Sequence, residues 1–218
     1  MTPGEPLIRW DWVLSHLGDI AQRLGEHLLL TGLAVGIGCL LSLVLSIQVL
    51  QRPSLYAPVL WATGILYTIP SLALFALLVP ITGLSLVTAE IGLVSYTLLI
   101  LIRNTVDGVR SVSPDVREAA VAMGYTPRQV LWGVELPLAL PVIMAGIRLA
   151  TVTTIGLTTV TALIGQGGLG YFILEGLQRF FSTPLLVGAV LSLALAVAAD
   201  AALLLAQRWA MPWTRGSP

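Results

Sequence analysis

The sequence contains little charge, one cysteine and no lysine. Only 10% of its 218 residues are charged, 56% are apolar, and the mean hydropathy is +0.92. Soluble domains carry about 25% charged residues, so an ordinary soluble, disordered or nucleic-acid-binding chain is excluded. The formal net charge is zero, so no overall field attracts a polyanion. The single cysteine, Cys39, excludes a disulfide framework and a cysteine-rich metal site.

Long runs with little or no charge dominate the chain. A helix of about 20 apolar residues crosses a bilayer, and five such crossings fit. We predict an all-α polytopic membrane protein in which residues 28–207 form a single transmembrane domain, followed by a cytoplasmic tail over 208–218. The expected crossings are 28–49, 56–79, 84–102, 141–164 and 185–207, with a turn at 80–83 between the second and third.

The arginines predict the orientation of these crossings. If the segment 103–135 is cytoplasmic, seven arginines lie inside and three outside, in agreement with the excess of basic residues in cytoplasmic loops. The N-terminus is then outside and the C-terminus is cytoplasmic. The inside arginines are Arg52, Arg103, Arg110, Arg117, Arg128, Arg208 and Arg215, and the outside ones are Arg9, Arg23 and Arg179.

Residues 1–27 are predicted to form an outer lead-in. They lack the basic start and apolar block of a signal peptide. Their apolar residues recur at helical spacing, which favours an amphipathic helix at the outer interface over a frayed polar segment. These residues are Trp10, Val13, Leu14, Leu17, Ile20 and Leu24.

The loop over residues 108–137 is rich in helix start and stop signals. Ser113 is followed by Pro114, a capping residue and a proline at the first helical position. Gly124 can end that helix in the left-handed conformation. Thr126 with Gln129 predicts a capping box for a second helix, which runs to about residue 135. We therefore predict two short helices joined at a glycine corner.

Small and apolar residues give this loop the character of a docking surface. Alanines allow close approach of another protein, and a tryptophan is a plausible anchor. A cytoplasmic partner is one interpretation, and a helical hairpin lying on the membrane is the other. Pro137 and Pro141 are expected to interrupt the chain before the fourth crossing. The expected apolar rim is Val130, Leu131, Trp132 and Val134.

The same loop resembles the EAA loop of binding-protein-dependent ABC importer permeases. The matching residues are Glu118-Ala119-Ala120, Gly124 and Leu136-Pro137. The resemblance implies the type I importer permease fold, with coupling helices that contact an ATPase subunit. It also implies a chain that is not an enzyme and binds no cofactor, with ATP and Mg on the partner ATPase. The expected coupling residues are Glu118, Ala119, Ala120, Gly124, Tyr125, Thr126, Leu136 and Pro137.

Four further segments narrow the resemblance to permeases of osmoprotectant importers, which carry glycine betaine, carnitine, choline or proline-type solutes. They are residues 69–74, 102–105, 141–148 and 164–170. The resemblance implies a bacterial or archaeal cell membrane, a separate solute-binding protein outside, and a second permease, for which we favour a paralogue over an identical copy. A methionine-type or other small-solute permease is the alternative, and a secondary transporter or intramembrane enzyme is disfavoured.

Several residues are candidates for the transport pathway. Arg148 either lines the pathway or extends to the inner interface, because an unpaired charge inside a membrane is costly. Asp200 either pairs with an arginine of another helix or lies near the inner interface. Thr154 and Thr158 either line the pathway or bond their own helix. The remaining candidates are Tyr67 and Ser71.

Two other features allow either a structural or a functional interpretation. Trp61, Tyr67, Phe75 and Tyr96 could surround a quaternary ammonium ion, although packing is the simpler role. The segment 165–170 has glycine at four of six positions, but no strand precedes it and no lysine follows. This favours a sharp outer turn over a nucleotide-binding loop.

Overall fold

The computed structural model describes residues 6–211, which form helices joined by short turns, with no β-strand among them. Four helices are long and apolar enough to cross a membrane, and one bent pair can provide a fifth crossing. This confirms the predicted all-α membrane fold with about five crossings. The long helices are α2 (Leu17–Gln51), α5 (Leu86–Arg110), α8 (Leu136–Thr158) and α10 (Ser182–Ala210), and the bent pair is α3 (Tyr56–Thr68) with α4 (Ser71–Thr82).

Four short helices flank or connect these crossings. They are α1 (Trp10–Ser15), α6 (Pro114–Ala122), α7 (Pro127–Val130) and α9 (Gly170–Gln178). Helices α6 and α7 belong to the predicted loop. Helix α9, which the sequence did not lead us to expect, lies between the glycine-rich turn and α10.

Helix α5 is the centre of the bundle. In its most apolar stretch 56% of the residues are buried, against 6% for α10 at the periphery. Glycines let its neighbours approach closely, as small residues commonly do between membrane helices. A Cβ atom on Gly38 of α2 would lie 2.0 Å from Thr97, and one on Gly146 of α8 would lie 2.5 Å from Asn104.

The first crossing is longer than predicted. Residues 17–27, expected in a separate outer lead-in, are the first turns of α2, and the break from α1 falls at His16. At 35 residues and about 1.5 Å per residue, α2 is about 50 Å long and extends beyond a hydrocarbon core of about 30 Å. The helix continues because the chain offers no proline between Leu17 and Gln51.

The second crossing, predicted as a span over 56–79, is broken in the structure. Helices α3 and α4 meet at 96° across Ile69 and Pro70. Proline disfavours the helical conformation of the residue before it, and Ile69 is extended, with φ −65° and ψ 126°. Pro80 lies inside α4, and the turn follows at Gly83, whose φ is +73°.

The fourth crossing begins earlier than predicted, because Pro137 and Pro141 do not interrupt the chain. A π-helical turn, Leu131–Glu135, joins α7 directly to α8. Pro137 follows this turn, where the hydrogen-bond register already changes, and a missing N–H is tolerated there. Helix α8 ends at Thr158, and the predicted outer end of the crossing is a short 3₁₀ helix, Val160–Ile164.

Candidate functional site

Helix α6 has the ends that its sequence predicts. The Ser113 hydroxyl accepts a hydrogen bond from the first turn. At the other end Gly124 has a φ of +86°. The Gly124 N–H donates to the Val121 carbonyl (2.9 Å) and the Tyr125 N–H to the Ala120 carbonyl (3.2 Å), the pattern of a Schellman motif. The glycine corner therefore turns the chain sharply and leaves few unpaired backbone groups.

Helix α7 begins with the predicted capping box. The Thr126 N–H donates to Gln129 Oε1 at 2.8 Å, and the Gln129 N–H donates to Thr126 Oγ1 at 3.4 Å. Each side chain thus satisfies the other residue's backbone N–H. This fixes the direction in which the chain leaves the glycine corner.

An ion pair connects α6 to the π turn. Arg117 of α6 donates to the carboxylate of Glu135 in the π turn, and the Glu135 side chain is only 12% exposed. Because the π turn continues into α8, this ion pair links α6 to the base of the fourth crossing. We call α6, the glycine corner, α7 and the π turn the coupling unit.

The coupling unit has an exposed tip and a buried base. Glu118, Ala119 and all residues from 121 to 129 are exposed, including Gly124, Tyr125 and Thr126. Ala120 is 1% exposed and faces inward. Leu136 and Pro137 lie partly buried at the start of α8. The structure therefore separates the predicted coupling residues into a tip that another protein can reach and a base that holds it.

The prediction of an apolar rim available for docking is wrong in part. Val130 and Leu131 are buried, and Leu131 packs with Val109 and Ala139 at this end of the bundle. Trp132 is 55% exposed and is available for a partner. Leu131 anchors the coupling unit, because apolar surface removed from water stabilises the packing of the π turn on α5 and α8.

Arg148 and Asp200 form a two-pronged ion pair between α8 and α10. Nε donates to Oδ1 and a terminal guanidinium nitrogen to Oδ2, both at 2.8 Å. This confirms the interpretation in which Asp200 pairs with an arginine of another helix. The side chains remain 26% and 37% exposed and border an open groove of about 560 Å³.

The other pathway candidates lie in separate places. Thr154 and Thr158 are buried, and their hydroxyls donate to carbonyls of their own helix. Tyr67 and Ser71 flank the break between α3 and α4, where the Tyr67 ring meets Tyr96 edge-on at 5.8 Å. Their part in a pathway stays a prediction.

The four aromatic residues considered for a cation site do not share one environment. Phe75 is fully buried against Gly92, whereas Trp61 is 73% exposed. Among the four, the described structure brings only Tyr67 and Tyr96 into ring contact. A cage of all four is therefore not formed in this conformation.

Sequence reasoning missed two residues at the opposite end of the bundle. Glu26 and His27 accept hydrogen bonds from the Gly168 and Leu169 N–H groups, at 3.1 and 3.2 Å. The partners are 142 residues apart in the chain. No local pattern connects them, and only the tertiary structure brings them together.

The sequence profile of the family described as "Binding-protein-dependent transport system inner membrane component" matches residues 33–210. The chain belongs to this family. The permease is 38% identical over 194 residues to the osmoprotectant import permease protein OsmW of Salmonella typhimurium, a match that covers 87% of this chain and 90% of the relative. It is 35% identical over 195 residues to the choline transport system permease protein OpuBB of Bacillus subtilis, with 89% and 90% covered.

Solved structures share the permease's fold. An inward-facing structure of the MetNI methionine ABC transporter superposes with a TM-score of 0.82 at 22% identity, covering 90% of this chain and 98% of the other. An amino acid ABC transporter solved with histidines superposes with a TM-score of 0.72 at 18% identity, covering 92% and 98%. These likenesses confirm the predicted ABC importer permease fold.

Proposed function

We propose that this permease is the transmembrane subunit of an ATP-driven importer for a compatible solute such as glycine betaine, carnitine, choline or a proline-type betaine. The observation that carries the proposal is the coupling unit, an exposed and rigidly capped tip bonded to the base of a membrane crossing. The names of the relatives, which are permeases for osmoprotectants and choline, support the substrate class.

The tip, with Glu118, Ala119, Gly124, Tyr125 and Thr126, docks on a cytoplasmic ATPase subunit. ATP and Mg bind to that subunit, and the permease itself breaks no bond. When ATP closes the ATPase pair, the tip moves with it, and the Arg117–Glu135 ion pair carries the displacement into α8. The tip can shift the permease between inward-facing and outward-facing states only if its contacts with the ATPase differ between them.

A second permease and an outer solute-binding protein complete the transporter. The choline transport system of Bacillus subtilis has two permease proteins, OpuBB and OpuBD, and this chain is 35% and 38% identical to them. That pairing supports a paralogous partner over an identical copy. The arginine distribution supports an N-terminus outside and the coupling unit in the cytoplasm.

The test is uptake by the complete transporter in proteoliposomes. We expect accumulation of labelled glycine betaine, choline or carnitine that requires both ATP on the ATPase side and the solute-binding protein. Excess unlabelled betaine should compete, and methionine should not. Competition by methionine alone would favour the methionine-type alternative. Accumulation driven by an ion gradient without the ATPase would contradict the proposal.

Substitution at the tip tests the coupling role. Glu118→Ala should lower uptake while leaving the permease folded and in the membrane, because Glu118 is exposed and caps no helix in the structure. Asp19→Ala is the matched control, an exposed acidic residue at the opposite end of the bundle. Equal uptake by the two variants would contradict a coupling role for Glu118.

A further inference from the structure

The turn between α8 and α9 is bonded to two adjacent residues of the first crossing. Glu26 Oε2 accepts from the Gly168 N–H at 3.1 Å, and His27 Nδ1 accepts from the Leu169 N–H at 3.2 Å. These N–H groups belong to Leu169, the residue that precedes α9 directly, and to Gly168 before it. Neighbouring residues of α2 therefore hold the turn from which α9 begins.

His27 also bonds the end of α8. Its Nε2 lies 3.0 Å from the Ile155 carbonyl oxygen. A backbone N–H can only donate and a carbonyl can only accept, so Nδ1 is the acceptor and Nε2 carries the proton. The ring is fully buried and uses both nitrogens. We call Glu26, His27 and their three backbone partners the turn clamp.

The glycines of the turn make room for this clamp. A Cβ atom on Gly167 would lie 2.0 Å from Glu26 Oε2, and one on Gly170 would lie 2.0 Å from the Thr159 carbonyl. Gly168 has a φ of +74°, and a Cβ there would lie 3.1 Å from His27 Nδ1. The glycine-rich sequence thus allows the backbone to approach α2 directly.

Charged and polar neighbours hold Glu26 in place. Gln22 donates to its other carboxylate oxygen at 2.9 Å, and Arg23 pairs with Oε2 at 2.9 Å. The Arg23 guanidinium also lies 4.1 Å from the centre of the Tyr171 ring in α9. The ends of α2, α8 and α9 are therefore joined at one place.

We propose that Glu26 and His27 are positioning residues, which make the ends of α2, α8 and α9 move as one body in response to the solute-binding protein. This rests on the proposed function, since it assigns the turn clamp to the outer face. The decisive contact is the one from the turn to α2, through Leu169 and Gly168. Loosening it should reduce the response to the solute-binding protein while leaving ATP hydrolysis in its absence unchanged.

Two substitutions of His27 separate its two hydrogen bonds. In His27→Asn an amide oxygen can replace Nδ1 and keep the Leu169 bond, whereas in His27→Gln an amide nitrogen can replace Nε2 and keep the Ile155 bond. In the complete transporter in proteoliposomes, His27→Asn should retain near wild-type uptake. His27→Gln, which loses the bond from the turn, should lose about fivefold or more, the size expected if that one hydrogen bond is the decisive contact. His16→Asn, at the chain's other histidine, is the control.

Three outcomes would overturn the proposal. These are wild-type uptake by His27→Gln, a loss in His27→Asn that His27→Gln does not share, and a fall in basal ATP hydrolysis that matches the fall in uptake. The second would assign His27 to holding the end of α8 alone, and the third would assign it to the folding or assembly of the whole transporter.

A double-mutant cycle tests the clamp without changing the histidine. Glu26→Ala and Gly167→Ala remove the same contact, so each should reduce uptake by about fivefold and the double variant should be no worse. Gly25→Ala is the control, because a Cβ there meets no atom within 4 Å. Additive losses, or recovery in the double variant, would contradict the proposal.

Amide hydrogen exchange tests the clamp independently of any solute. In the purified transporter, exchange at residues 168 and 169 should be faster in His27→Gln than in the wild type or in His27→Asn. Unchanged exchange would overturn the clamp. Wild-type vesicles that show no uptake stimulated by the solute-binding protein would instead count against the proposed function, so the two failures are distinguishable.

Discussion

One hydroxyl secures the break in the second crossing. Because Pro70 forces Ile69 out of the helical conformation, the Ile69 carbonyl needs a partner outside α3. Tyr96 of α5 donates its hydroxyl to that carbonyl. Tyr96 is 5% exposed, and this partly buried bond ties the bent crossing to the central helix.

We therefore expect Tyr96→Phe to destabilise the permease by about 0.5–1.5 kcal/mol, because the partly buried Ile69 carbonyl loses its hydrogen-bond donor. Thermal unfolding of the detergent-solubilised transporter measures this. Tyr67→Phe is the control, since Tyr67 packs edge-on against Tyr96 and is 38% exposed. Equal stability of the two variants would argue against a role for the Tyr96 hydroxyl.

Arg148 and Asp200 illustrate how a membrane protein accommodates charge. Each alone would be unfavourable among the apolar residues of α8 and α10, and together they neutralise one another in a two-pronged contact. Removing one partner leaves the other charge unpaired. Replacing both with apolar residues removes the electrostatic problem altogether.

Arg148→Met should therefore lower the melting temperature of the solubilised permease, and Arg148→Met with Asp200→Leu should restore much of it. Measuring solute uptake by the double variant then distinguishes a structural role of the ion pair from a role in transport. A double variant that is stable but inactive would assign the pair a place in the pathway, and a stable, active one would make it structural. If Arg148→Met were as stable as the wild type, the pair would contribute nothing to folding.

At the scale of elements, the coupling unit depends on one left-handed residue. Gly124 has a φ of +86°, a conformation that places a Cβ atom too close to the following carbonyl. Beyond its two neighbours in the chain, a Cβ atom on Gly124 would meet no atom within 4 Å. Glycine is therefore required here for its backbone conformation, and not because a larger side chain would lack room.

Gly124→Ala should destabilise the glycine corner by about 1 kcal/mol and weaken binding of the ATPase subunit. The measurement is the affinity of the ATPase for the permease in detergent, with uptake as a second readout. Gly133→Ala is the matched control, because Gly133 lies in the π turn, is exposed and meets nothing within 4 Å. Equal affinities for both variants would contradict a role for the left-handed corner.

At the scale of the whole molecule, the bundle is asymmetric. Helix α5 is surrounded by α2, α3, α4 and α8, whereas α10 leaves most of its surface uncovered within this chain. The coupling unit and the turn clamp lie at opposite ends of α8. If the coupling unit is cytoplasmic, the turn clamp faces outward.

Cysteine labelling tests this orientation. In a Cys39→Ser background, Gln178→Cys should react with an impermeant maleimide in intact cells, and Met123→Cys should react only after the membrane is opened. Both positions are exposed in the structure. The opposite pattern would reverse the orientation and remove the coupling unit from the ATPase.

Local chemistry and composition made much of this permease predictable. The number of crossings follows from apolar runs, because a bilayer core demands about 20 such residues. The ends of α6 and α7 follow from Ser113, Gly124 and Thr126, since capping acts within a few residues of the chain. These are the features for which neighbours in sequence are also neighbours in space.

The features that depend on helix packing could be established only from the tertiary structure. The bend at Pro70 could not be located from a continuous apolar run, and the π turn before Pro137 depends on packing against α5. The partner of Arg148 is 52 residues away, and the partners of Glu26 and His27 are 142 residues away. Such contacts are set by the way helices pack, because a buried polar group bonds whatever partner the fold brings within reach.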